Sequence, residues 1–165
     1  MSGVYKCKRL NFNKMKFSHP YFFYQLSFKL GQPSIQRLIA KIAKTVKTWN
    51  GVTTGIHRMG AKEFLFQKKE FGHIHWNGDL DIQFGKPLTA ELLKQGLVRQ
   101  HKFVPEIAIT YPLTGHESIS FAISLLRFSY LLKLKQSATA KPKVYSKVQK
   151  ELESILFYPL IEHLI

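Results

Sequence analysis

The chain has 165 residues, 45% of them hydrophobic and 13% aromatic, which is enough to bury a core in one domain of ordinary size and argues against a disordered polypeptide. Its single cysteine, Cys7, excludes an intramolecular disulfide and a multi-cysteine zinc site, and fits a reducing cytoplasm. The formal charge of +15 admits nucleic acid, an anionic membrane or an acidic partner, but the basic residues run along the whole chain without forming one block, so nucleic acid is disfavoured though not excluded and no membrane partner is expected.

No run of about 18 apolar residues occurs, so no membrane span is expected. The basic start (Lys6, Lys8, Arg9, Lys14, Lys16) lacks the apolar stretch and small residues of a cleavable leader, and none is expected. Residues 1–31 read as a basic and aromatic extension without clear period, its aromatic half, about Tyr21 to Leu30, packing on the domain.

From Ser34 the pattern turns helical: Ile35, Leu38, Ile39, Ile42, Val46 and Trp49 share one face and Arg37, Lys41 and Lys44 the other, up to Gly51. VTTGIHRM, KEFLFQ, EFGHIHW and LDIQF, within residues 52–84, read as strands separated by Gly or by Lys68-Lys69. Asn77-Gly78 suits a tight hairpin turn. AELLKQ, after Pro87 and Thr89, is a short helix ended by Gly96, and Ile107–Tyr111 is another strand. Thr114 and Glu117 have the spacing of a capping box before a long helix running to about Lys135. Residues 136–143 read as a linker and 144–156 as a last helix, whose apolar tail FYPLIEHLI is expected to dock on the domain or to join two copies as a homodimer.

The expected organisation is an extension (1–31), a central domain (32–135) and a linker with C-terminal helix (136–165). Short turns between strands imply antiparallel pairing. The fold class is therefore α+β, a curved antiparallel sheet of about four to five strands with helices packed on one face.

The candidate chemistry gathers on the hairpin. Residues two apart on a strand share a face, so His73 and His75 point one way, as do Asp79 and Asp81, and the turn can bring Asp81 to the histidines. Two imidazoles and a carboxylate suit either a metal ion or acid–base work, and the spacing leaves both open. Glu63 and Glu70 sit in strand-like segments, where an inward carboxyl would have a raised pKa. Arg127 interrupts the apolar run LLRFSYLL and needs a carboxylate (Glu63, Glu70 or Asp81) or an anionic ligand. His57 and His101 are lone histidines near strand ends. Neither a nucleophile elbow nor a phosphate-binding glycine loop occurs.

His57-Arg58, Gly60, Glu63-Phe64, Glu70-Phe-Gly-His73-Ile-His75, Gly78 and Asp81-Ile-Gln-Phe84 together resemble the luciferase-domain family, small bacterial proteins related to the fungal luciferase. The resemblance runs on through Leu92-Leu93, Gly96, His101, Pro105 and Leu125-Leu-Arg-Phe-Ser-Tyr130. It implies, by analogy, oxidation of a hydroxylated pyrone by O2 without a bound redox cofactor, and no flavin.

The main expectation is thus a protein that binds or oxidises a small phenolic or enolic ligand in a pocket between hairpin and long helix. His73 and His75 would accept or orient protons, with Asp81 or Glu70 setting the tautomer. Arg127, Glu63, His57, His101 and Tyr130 would contact the ligand. No cofactor is expected, O2 is a candidate co-substrate, and the metal is unknown. The alternatives are a non-enzymatic basic binding module for nucleic acid or protein, and a His-x-His metal-dependent oxygenase.

Overall fold

The computed structural model describes residues 20–57, 60–138 and 142–164. Residues 1–19 of the expected extension, Arg58, and residues 139–141 of the expected linker lie outside them.

The chain enters through helix α1 (Pro20–Gly31), where the sequence shows no period. Its Phe23, Tyr24 and Leu30 are largely exposed, so no apolar stripe contrasts with a polar one. Helix α2 (Pro33–Val46) follows at once, with proline in its first turn, where a missing N–H costs nothing. As the spacing predicts, α2 buries Leu38, Ile39, Ile42, Ala43 and Val46 and leaves Arg37, Lys41 and Lys44 in solvent.

Among the described residues six strands form one antiparallel sheet: β1 (Val52–Ile56), β2 (Lys62–Phe66), β3 (Lys69–Ile74), β4 (Asp79–Gln83), β5 (Arg99–Gln100) and β6 (Ala108–Pro112), in the order β1-β2-β3-β4-β6-β5. All five strands predicted from the sequence are present, and β5, two residues long, is added. Gln67 and Lys68 turn β2 into β3, both with positive φ, as a two-residue hairpin of this hand requires. At the β3–β4 turn Gly78 takes the positive φ (96°), while Asn77 folds back through its amide onto Asp79. Gln36 of α2 donates to the Trp76 carbonyl at 2.8 Å and Leu113 to the Gly78 carbonyl at 2.9 Å, which holds this turn in place.

Helix α3 (Lys86–Lys94) bridges β4 and β5, and the long α4 (Ser118–Ser137) packs on β2, β3 and β4. The capping box expected from Thr114 and Glu117 does not form. The chain first makes a turn, with Ser118 N–H to the Gly115 carbonyl, and α4 starts at Ser118 without a side-chain cap from Glu117. Helices α5 (Pro142–Glu153) and α6 (Tyr158–Ile161) close the molecule. The apolar tail docks on its own domain, with Phe157 against Phe121 and Phe128 and with Ile161 fully buried.

One face of the sheet is thereby covered. Phe64, Ile74, Leu80 and Ile82 are buried in a single core with Leu125, Leu126 and Phe128 of α4. A Cβ on Gly72 would stand 2.8 Å from Leu126 and 3.2 Å from Ile82, so these residues share the α4 side. By strand alternation His73, Asp81 and Thr110 stand on the opposite face.

Candidate functional site

β3 and β4 pair at His73–Asp81 and Ile74–Leu80, and β4 and β6 pair at Asp81–Thr110. These two registers place His73, Asp81 and Thr110 side by side across three strands. His75 follows two residues after His73, on the same face.

The group centres on Asp81, which is 6% exposed. Its Oδ2 lies 3.1 Å from His75 Nε2, 3.3 Å from His101 Nε2 and 3.5 Å from His73 Nε2. Its Oδ1 accepts a 2.5 Å bond from the Thr110 hydroxyl, the length of a charge-assisted O–H···O. The two imidazoles of the hairpin meet edge to face, Nε2 to Nε2 at 3.2 Å.

Glu70 joins this group because β3 is irregular. Residues three apart on a regular strand face opposite ways. Here the β2–β3 register shifts at Phe64/Leu65, where Glu70 and Gly72 oppose adjacent residues and Phe71 is the extra residue. The bulge turns Glu70 to the His73 side, and its Oε1 lies 2.5 Å from His73 Nδ1. His57, just beyond β1, stacks on His73 with centroids 4.5 Å apart and brings Nε2 to 3.9 Å from Glu70 Oε2.

Hydrogen bonding fixes two tautomers. His101 Nδ1 accepts the backbone N–H groups of Phe103 and Val104, both at 3.1 Å, so its Nε2 carries the hydrogen and donates to Asp81. His73 Nδ1 faces a carboxylate, so in the neutral ring it holds the hydrogen and leaves a lone pair on Nε2.

The electrostatics follow from burial set against hydrogen bonding. Burial alone would raise the Asp81 pKa, but the bonds from His73, His75 and Thr110 outweigh it and hold the carboxyl well below the usual range. Burial likewise opposes charge on His73, yet Asp81 and Glu70 on either side raise it to about 9. Glu70, also opposed by burial, is lowered by His73 and His57. Glu63, cross-strand from His73, is raised by burial and by Glu70, against a smaller opposite pull from His73.

The cluster floors a cleft of about 640 Å³. β3 and β4 pair only at His73–Asp81 and Ile74–Leu80, and the lining of the cleft includes Phe71, Gly72 and Ile82 beside that pairing and Lys133 of α4. Phe103 and Val104, in the loop after β5, form part of its wall.

Of the residues named from the sequence, His57, Glu70, His73, His75, Asp81 and His101 come together, and Glu63 flanks them in register. Arg127 and Tyr130 stand elsewhere. Arg127 pairs with Glu151 of α5 and lies over the rings of Trp49 and Tyr130, each 4.9 Å away, so its carboxylate is none of the three expected. Tyr130 is 2% exposed and donates to the Asn50 carbonyl at 2.9 Å. The sequence reading missed Thr110, which only the β4–β6 register reveals.

No curated protein and no solved structure matches the chain. Residues 68–129 match the family model of the luciferase domain, which bears out the resemblance over this stretch. The match includes Glu70, His73, His75, Asp81, His101 and Thr110, while His57 and Glu63 precede it and Tyr130 follows it. The hairpin and the groups that converge on Asp81 thus lie inside a stretch similar to the luciferase domain.

Proposed function

We propose that the cleft binds a small phenolic or enolic molecule and that its imidazole–carboxylate floor takes the acidic proton of that molecule, leaving an anion for O2 to oxidise. The observation that carries this reading is the convergence of three imidazole Nε2 atoms within 3.5 Å of one buried carboxylate oxygen at the floor of the cleft. His101 already donates from Nε2 and His73 is charged at neutral pH, so the ring that takes the proton is His75, and the Asp81 carboxylate beside it holds that proton in place. The Phe103 ring, 64% exposed, is a flat face against which an aromatic ligand can stack. Lys102 and Lys133 line the same cleft and suit an anionic product. In the oxidation, the electron pair of the anion forms a C–O bond to O2, which is reduced to a hydroperoxide. The proton held on the floor returns to the outer oxygen, so no further reductant is consumed. The match of residues 68–129 to the luciferase domain supports a luciferase-like protein, and the ligand class and O2 are this proposal's own.

The test uses 4-hydroxy-6-methyl-2-pyrone and catechol as probes, titrated calorimetrically into wild type and Asp81→Asn, with an oxygen electrode following any turnover. Binding to wild type that is lost in Asp81→Asn is expected. Failure of both probes to bind, or equal binding to the two proteins, overturns the reading.

A further inference from the structure

We propose that His73 Nε2, His75 Nε2 and Asp81 Oδ2 are three ligands of one divalent transition-metal ion, bound on one side by the protein and open on the other to the cleft. The inference deepens the reading above and rests on it only for the use made of the ion.

The ligand atoms are 3.2, 3.1 and 3.5 Å apart. An ion about 2.0–2.2 Å from each of three ligands keeps them roughly 3.0 Å apart at right angles and roughly 3.4 Å apart at tetrahedral angles. The three observed edges, 3.1, 3.2 and 3.5 Å, lie within about 0.1 Å of the range those two values bound. One carboxylate and two imidazoles on a single face, with positions left over, suit Fe(II) or Zn(II) better than Ca²⁺ or Mg²⁺, which prefer oxygen throughout.

Hydrogen bonds behind two of the three ligands, His73 and Asp81, are already in place. Metal-bound imidazoles usually give their other N–H to a carboxylate or carbonyl, which fixes the ring and the tautomer. His73 does so to Glu70, and once the ring gives up its second proton to the solvent its Nε2 has the lone pair that a metal needs. Asp81 is oriented from behind as well, by Thr110 on Oδ1 and by the His101 N–H on Oδ2. His101 is therefore a positioning residue rather than a ligand, because its Nδ1 is taken by two backbone N–H groups and its Nε2 by Asp81. A second grouping, His57, Glu70 and His73, also brings its ligand atoms together. It is the weaker, since His57 stays 3.9 Å from Glu70 and the His73 nitrogen on that side already holds a hydrogen bond.

An ion at this point changes what the floor does. An enol or phenol oxygen in an open position would be acidified by the adjacent positive charge, as a metal-bound water is. Ring and carboxylate would then serve to hold the ion, and ligands with two neighbouring oxygens would be preferred, because they can fill two open positions.

The experiment is titration of Zn²⁺ and Co²⁺ into untagged, chelator-stripped full-length protein, read by elemental analysis after gel filtration and by the visible Co²⁺ spectrum. One ion per chain is expected in wild type and in the exposed control His116→Ala, falling to well under one in His75→Gln and Asp81→Asn. A wild type that retains no ion, or variants that retain it in full, overturns the inference. Should the two ligand variants fail to fold by circular dichroism, X-ray absorption of the Co²⁺ wild type decides: two imidazoles on the ion support the site, and none refutes it. The two proposals can fail separately. Pyrone binding by a wild type that retains no ion leaves the function standing and removes the ion. Stoichiometric ion with no binding of either organic probe does the reverse.

Discussion

His101 Nε2 lies 3.3 Å from Asp81 Oδ2 although β6 stands between their strands in the sheet. The reach is possible because the chain after β5 turns at His101, whose Nδ1 accepts the N–H groups of Phe103 and Val104. One ring thus ties the wall of the cleft to its floor. His101→Ala removes a donor from Asp81 and releases both N–H groups. Divalent-ion affinity is expected to fall by about 10–100-fold, the usual effect of losing a hydrogen bond behind a ligand, with stoichiometry kept at saturation. Competition against a chromophoric chelator measures it, and an unchanged affinity would show that His101 has no positioning role.

Glu70 reaches His73 only because of the bulge at Phe71. Glu70→Ala leaves the strand pairing intact and removes the acceptor that sets the His73 tautomer. The expected result is again about 10–100-fold weaker ion binding, from a faster off-rate, while Glu70→Gln, which can still accept through its carbonyl, recovers part of the loss. Stopped-flow release of Co²⁺ to a chelator distinguishes the two variants.

Gly72 carries the site on one side and the core on the other. A Cβ there would stand 2.8 Å from Leu126 Cδ2 and 3.2 Å from Ile82 Cγ1, and both side chains are at most 1% exposed, with little room to yield. Gly72→Ala is therefore expected to destabilise by about 1–3 kcal/mol, as overpacking does. For a chain of this size that lowers Tm by roughly 2–12 °C in scanning calorimetry, at about 2–4 °C per kcal/mol. A Tm at or above wild type would mean that α4 shifts away without cost.

The sequence makes the hairpin legible because period two needs only neighbours: His73 and His75 share a face, as do Asp79 and Asp81, and the short Asn77-Gly78 turn lets the β3–β4 register set Asp81 beside His73. The remaining members depend on information that periodicity does not carry. Glu70 sits three before His73 and would face away but for the bulge. Thr110 is one ordinary residue of the strand Ile107–Tyr111 until β6 pairs with β4 in that register. His101 crosses a strand. The amphipathic α2 and the five main strands announce themselves through their patterns, whereas α1, aromatic without a polar stripe, does not. The Arg127 partner, Glu151, lies on a helix beyond the expected linker, where spacing says nothing about contact.

Arg127 gives the prediction that separates these two regions. Its guanidinium bonds Glu151, tying α4 to α5, and covers Trp49 and Tyr130. The pair is partly exposed, so the ionic part contributes under about 1 kcal/mol, and stacking on the rings adds about 0.5–1 kcal/mol. Arg127→Ala is expected to lower stability by about 1–2 kcal/mol in urea unfolding, and Arg127→Lys to recover little, because a lysine keeps the charge but not the planar stack. Ion stoichiometry and pyrone binding should match wild type in both variants, since Arg127, Glu151, Trp49 and Tyr130 are not among the residues that line the cleft. If either variant loses ligand binding at full foldedness, the guanidinium serves the cleft after all, as its place in the apolar run first suggests.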